Sequence, residues 1–155
     1  MIVAGTGHRP QFCPCGFNEN HPWLLDLKSS LVVELVAKEV TTVISGAAIG
    51  YDTWLAECAL ELNIDLHLYV PFEEQGATWP QKSRDKLNLL KNKAKEVKVI
   101  NSYYSKNCFF KRDEEMIKNC EEVFSLLDPY KTSGGTYYTV KYAKKLGRPI
   151  TNFWK

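Results

Sequence analysis

The stretch Thr41–Leu60, TTVISGAAIGYDTWLAECAL, decides how the chain is read. TTVIS is rich in β-branched residues and stops at Gly46, which is a strand signal with a terminator. The small residues Gly46, Ala47, Ala48 and Gly50 follow. Leu55, Ala59 and Leu62 then recur at helical spacing. A strand, a turn of small residues and a helix make the first half of a β–α–β unit.

The same alternation extends outward in both directions. Ile2–Gly5 is a short apolar run that ends on glycine, and Leu24, Leu27, Leu31 and Leu35 predict an amphipathic helix over Trp23–Lys38. Downstream, Ile64–Val70 reads as a strand that stops at Pro71. A lysine-rich helix near Trp79–Lys95 turns Leu87 and Leu90 inward. Val97–Ile100 is a fourth strand, Asn107–Asn119 a helix, Glu122–Leu127 a fifth strand, Gly135–Leu146 a last helix and Pro149–Phe153 a final strand. Strands alternating with helices predict an α/β fold: one Rossmann-like three-layer domain over residues 1–155, with a mainly parallel sheet flanked by helices. The order of the strands does not follow from the pattern.

Composition narrows the class. A chain of 155 residues buries a core without staples, and 45% apolar with 25% charged residues is ordinary for a soluble domain. No apolar run approaches the roughly 20 residues of a membrane span, and no signal peptide is visible. Five cysteines at irregular spacing argue against a secreted disulfide framework, so the expectation is reduced thiols in a cytoplasmic protein with no membrane partner. The net charge of +2 is too small to announce a nucleic-acid partner.

In a parallel sheet the loops leaving the carboxyl ends share one edge, and ligands bind there. Three of those loops are rich in glycine or small residues: Gly5-Thr6-Gly7-His8-Arg9-Pro10, Ser45–Asp52, and Ser133-Gly134-Gly135-Thr136 before the last helix. Glycine lets backbone N–H groups approach a ligand, a helix N-terminus favours an anion, and Arg9 supplies a bidentate phosphate contact. Each loop alone is also explained as an ordinary turn or cap. None is a P-loop, and Pro10 stands where G-x-G-x-x-G needs its third glycine.

The succession GTGHRP, SGAAIGYDTWLAECAL, VPFEEQGATWP, KRDEEM and SGGTYYTVKYAKKLGRPI resembles the SLOG superfamily over nearly the whole chain. The branch it is most similar to is the YpsA-like group, related in fold to DNA-processing protein A and to the Lonely guy phosphoribohydrolases. The resemblance implies a Rossmann-like fold and a nucleotide or nucleotide-derived ligand. It carries Gly5, Gly7, His8 and Arg9 onto the first motif, and Ser45, Gly46, Gly50 and Asp52 onto the second, with Ala47 replacing a frequent glycine. Gln75 and Trp79 match Q-x-x-x-W, Arg112–Asp113 stands where many relatives have Arg-Asn, and Gly134, Gly135 and Thr136 match the last loop. The Lonely guy motif P-G-G-x-G-T-x-x-E carries a catalytic glutamate. Here Ser133 replaces the proline, and Tyr137, Tyr138 and Thr139 follow without a carboxylate.

Cleavage of an N-glycosidic bond needs a carboxylate, and Asp52 and Asp113 are the candidates. Asp52 at a helix start equally serves as a dipole partner, Arg112 and Asp113 as exposed helix charges, and His8 as the holder of a loop. His8, Cys13, Cys15 and His21 do not have the spacing of a structural zinc site, so no metal is expected. Phe12, Phe17 and Trp23 sit on a long segment able to cover a base, and Trp79 either stacks on a base or fills the core. Lys82, Arg84, Lys86, Lys91, Lys93, Lys95 and Lys98 form a basic segment that tracks nucleic acid or is a solvated helix face.

The expectation is a protein that binds a nucleotide or nucleotide-derived ligand, as a sensor or sequestering protein, with no certain cofactor. Its site is Gly5, Thr6, Gly7, His8, Arg9, Ser45, Gly46, Ala47, Gly50, Asp52, Gln75, Trp79, Arg112, Gly134, Gly135 and Thr136. The alternatives are a nucleotide N-glycosidase or phosphoribohydrolase and a DNA-associated protein using Lys82–Lys98. The oligomeric state stays open, although related folds often pair subunits.

Overall fold

The computed structural model describes Met1–Lys155. Its strands are β1 (Ile2–Gly7), β2 (Thr42–Ser45), β3 (Asp65–Phe72), β4 (Glu96–Asn101), β5 (Glu122–Leu126) and β6 (Ile150–Asn152). The helices are α1 (Pro22–Ala37), α2 (Tyr51–Glu61), α3 (Gln81–Lys93), α4 (Cys108–Lys118) and α5 (Gly135–Lys145). The strands form one sheet in the order β4-β3-β2-β1-β5-β6, and every pairing is parallel.

Side chains alternate across this sheet, so each inner strand feeds two cores. Val3, Val43, Leu66, Leu68 and Phe124 face α1, α2 and α3, and pack with Leu24, Leu27, Leu31, Leu35, Leu55, Leu87 and Leu90. Ala4, Ile44, Tyr69 and Val123 face the other way, onto Met116 and Ile117 of α4 and Ala143 of α5. The four leucines of α1 are buried because they recur every three or four residues along one stripe. Removing each from water contributes about 1.5–3 kcal/mol. His21 starts that helix: its Nδ1 accepts the Trp23 N–H at 3.0 Å, with Pro22 at the first helical position.

The chain works outward from β1 to β4 on one side, then returns to place β5 on the other side of β1. The crevice at the carboxyl ends of β1 and β5 is therefore the topological switch point, where open α/β sheets bind ligands.

Two expected boundaries are corrected. β1 does not stop at Gly5; Gly5, Thr6 and Gly7 pair with Phe124, Ser125 and Leu126 of β5 and belong to the strand. β3 does not stop at Pro71 but runs to Phe72, because β2 reaches only as far as Leu68 while β4 pairs on as far as Phe72. Proline's missing N–H is tolerated where the strand has an unpaired side.

Candidate functional site

A cavity of about 470 Å³ opens at the switch point. Its floor is the end of β1, Gly5 to Arg9. One wall is Ala48 and Asp52 at the start of α2, and a second is Lys106, Phe109, Phe110, Arg112 and Asp113 on and before α4. Lys131 and Ser133–Thr136, leading into α5, close the third side, and Phe12 completes the rim.

The glycines divide into two kinds. A Cβ on Gly5 would lie 2.3 Å from Leu55 Cδ2, and one on Gly7 would lie 2.3 Å from the Tyr51 ring. These two are small so that α2 can lie against β1. Gly134 and Gly135 are different. A Cβ on either meets nothing within 4 Å, and Gly134 has φ +97°. No side chain caps α5, so its first N–H groups have no side-chain acceptor at the cavity. The protein's own packing does not demand a glycine at 135; a group entering from the cavity would.

Thr6 and Thr136 line the same space. Each is more than nine-tenths buried, and neither hydroxyl has a hydrogen-bond partner within the chain. Arg9, Lys106 and Lys131 bring positive charge, and none of them makes an ion pair with a carboxylate. Lys131 Nζ sits 4.8 Å over the Phe12 ring. Unpartnered donors, a helix N-terminus and free cations on one cavity favour an anion with several oxygens.

Arg112 organises the opposite wall. It is buried, donates from one terminal nitrogen to the Gly46 carbonyl at 2.6 Å, and donates from Nε to Asp113 at 2.5 Å. The other Asp113 oxygen lies 3.0 Å from the Thr139 hydroxyl. Asp52 accepts the Ala48 N–H at 3.2 Å. Burial pushes its carboxyl up to about 6, against the opposing pull of Arg112; the charge of Asp113 adds to the rise. Both candidate carboxylates thus face the cavity, each already engaged by the protein.

His8 accepts the Asp128 N–H on Nε2 at 3.0 Å and so pins the loop after β5. Burial, and then the charge of Lys131, hold its imidazole below the ordinary range. A neutral ring with its lone pair on Nε2 is the tautomer this bond requires.

The remaining expected residues stand behind the cavity or outside it. The Ser45 hydroxyl donates to the Asp52 carbonyl at 2.8 Å and holds the start of α2. Gly46 makes room for Arg112, since a Cβ there would lie 2.8 Å from its guanidinium. Ala47 has φ +63°, the backbone region that glycine adopts freely, and its carbonyl accepts from the Gln75 side chain at 3.1 Å. Gln75 is therefore a strut between two loops. Gly50 and Trp79 line a separate cleft of about 420 Å³ on the other side of Arg9.

Lys106, Phe109, Phe110 and Lys131 went unread in the sequence as parts of the site. The signal that finds them is position: Lys106 and Lys131 lie on the loops that leave β4 and β5, and Phe109 and Phe110 on the first turn of the helix after β4. The lysine-rich segment reads differently in three dimensions. Lys82, Lys86, Lys95 and Lys98 pair with Glu19, Glu57, Asp65 and Glu115. All five cysteines are free and buried, and burial pushes the Cys13 thiol up to about 12. No helix is long and apolar enough to cross a membrane.

Comparison with known proteins places this geometry. The chain is 26% identical to a UPF0398 protein of Bacillus cereus over 162 residues, covering 98% of this chain and 86% of that one. Two solved structures share the fold. DNA processing protein A from Streptococcus pneumoniae superposes with a TM-score of 0.67 at 19% identity, over 97% of this chain and 49% of that one. DNA processing protein A from Helicobacter pylori, described with single-stranded DNA, gives 0.65 at 20%, over 98% of this chain and 64% of that one. This chain thus spans about half to two thirds of those longer proteins. The model of the YspA SLOG family matches residues 3–151, and the chain belongs to that family.

Proposed function

We propose that this protein binds a nucleotide or nucleotide-derived small molecule through its phosphate, at the cavity between β1, α4 and the start of α5. The observation that carries the reading is the Gly134–Gly135 turn. It leads into an uncapped helix, faces open space, and shares its cavity with two unpartnered threonine hydroxyls and three free cations. Phosphate is the biological anion that satisfies N–H groups, hydroxyls and cations together. The resemblance to nucleotide-associated relatives points the same way.

Sensing or sequestration is favoured over hydrolysis. Asp113 is engaged by Arg112 and Thr139, and Asp52 by the Ala48 N–H. Asp113, with both oxygens so held, is poorly placed to activate water, and Asp52 is left as the one carboxylate with a free oxygen. DNA association through Lys82–Lys98 loses support because four of its lysines already face carboxylates.

The test is a thermal-shift screen against mono- and dinucleotides, with each mixture then resolved by chromatography. A ligand that binds the folded state raises the melting temperature by mass action. The reading expects a shift that Arg9→Ala or Gly135→Asp abolishes, with the ligand recovered intact. Release of free base would replace it with a glycosidase centred on Asp52 and Asp113. No shift with any phosphate-bearing compound would remove it.

A further inference from the structure

The second cleft, of about 420 Å³, lies against the first, and Arg9 is the one residue that lines both. Its character is opposite. Phe17, Trp54 and Trp79 give it aromatic walls, between the segment after β1 and the starts of α2 and α3. Its two lysines each have a carboxylate beside them: Lys86 lies 3.0 Å from Glu57, and Lys82, exposed to solvent, lies 3.7 Å from Glu19. Arg9 alone carries charge without a carboxylate partner there. A cleft with aromatic walls and paired lysines takes a planar, uncharged group.

Arg9 is mounted on a fixed ridge. Its carbonyl accepts the Phe12 N–H at 3.0 Å, and the Tyr51 N–H bonds to the carbonyl of His8 at 3.3 Å. A Cβ on Gly50 would meet Pro10 at 2.8 Å and the His8 carbonyl at 2.9 Å, so α2 is packed tightly under the ridge. The backbone of Arg9 is thus fixed where the two spaces meet, and its exposed side chain borders both.

We propose that the aromatic cleft is a second subsite and that the ligand is two-ended. Its phosphates lie at Arg9 and the start of α5, and an aromatic ring attached through them lies between Phe17 and Trp79. The ligand class is a nucleotide extended by a second ring across its phosphates. This deepens the phosphate reading of the first cavity and rests on it.

The experiment compares calorimetric binding of ADP and of diadenosine diphosphate, which share base and phosphates and differ by the second nucleoside. Diadenosine diphosphate is expected to bind roughly tenfold or more tightly, the scale of one base stacked on an aromatic ring. Phe17→Ala, at an exposed side chain, and Ser83→Trp, which fills the cleft, should erase that gain and leave the ADP affinity within about twofold. Arg9→Ala should weaken both compounds. Equal wild-type affinities, or a gain that survives Ser83→Trp, would overturn the second subsite while leaving the phosphate site standing. Failure of both compounds to bind would overturn the two-ended ligand, and the phosphate reading falls with it when the full panel of phosphate-bearing compounds also gives no thermal shift.

Discussion

The guanidinium of Arg112 donates to the Gly46 carbonyl across 2.6 Å, joining the middle of α4 to the loop that follows β2. Two helical layers on opposite faces of the sheet are linked through this one side chain, because the loop it grips leads into α2. It also separates Asp52 from Asp113 electrostatically, lowering the cost of having two acids on one wall. Arg112→Ala should therefore destabilise the fold by about 3 kcal/mol or more, the usual result of leaving buried charge without its partner. Urea unfolding checks this. A midpoint unchanged from wild type would show that the bond contributes nothing.

Asp52 sets a pH dependence whose sign is opposite to that of most carboxylates. Its folded value, about 6, lies above the ordinary 3.8, so between those values the folded state holds more proton than the unfolded state. The contribution of Asp52 to stability is thus fully present at about pH 4 and is lost as pH rises through 6. Asp52→Asn removes the ionisation and keeps an acceptor for the Ala48 N–H. The variant should gain on wild type by about 3 kcal/mol at pH 8, with the gap shrinking towards pH 4. Parallel melting curves across that range decide it, and a gap that widens on acidification would contradict the burial of this group.

His8 works in the other direction over a neighbouring range. Its folded value lies below 6.5, so the unfolded chain takes up the proton first and stability is lost as pH falls below about 6.5. Protonation also destroys the acceptor for the Asp128 N–H. His8→Ala should cost about 1 kcal/mol at pH 8 and flatten the acid side of the curve. Hydrogen exchange at the Asp128 amide reports the same event locally: it should speed up in the variant at neutral pH.

The two kinds of glycine make a paired test. Gly7→Ala drives a methyl group into the Tyr51 ring, which is fully buried and donates to the Phe124 carbonyl at 3.0 Å. That ring cannot retreat, so the cost should be about 2 kcal/mol or more. Gly135→Ala meets open space and should melt within about 0.5 kcal/mol of wild type while weakening a phosphate ligand. Circular dichroism melts and ligand titrations on both variants check the contrast. Equal losses of stability would erase the distinction.

Lys131 is exposed and pairs with no carboxylate, so Lys131→Ala should leave the melting temperature unchanged. It should weaken a phosphate-bearing ligand about tenfold at low salt, with the difference shrinking as salt is added. Isothermal titration at two ionic strengths measures it.

Much of this was legible before the fold was known. Every expected strand and helix is present, because apolar spacing of two or of three to four residues reports local geometry directly. Gly5 and Gly7 do line the cavity, but the sequence did not show their second role. In sequence they look like a phosphate loop, and in space their missing side chains admit Leu55 and Tyr51, residues some fifty positions away. Gln75 and Trp79 carry one of the family's motifs and Asp52 and Arg112 two others, yet only Asp52 and Arg112 line the cavity at the switch point. A motif records which residues occur together, not which of two adjacent clefts they face.

The sequence by itself determined the α/β class, the parallel sheet, and the edge of that sheet where small-residue loops gather. These follow from periodicity and from loops leaving strands that all point one way. Only the tertiary structure decided that β5 returns beside β1, which creates the crevice. It also decided that four of the six lysines read as a basic face have a carboxylate beside them, and that Arg9 stands between two cavities of opposite character. Those properties depend on which distant elements pack together, and packing is settled by the summed burial of the whole chain rather than by any one stretch of it.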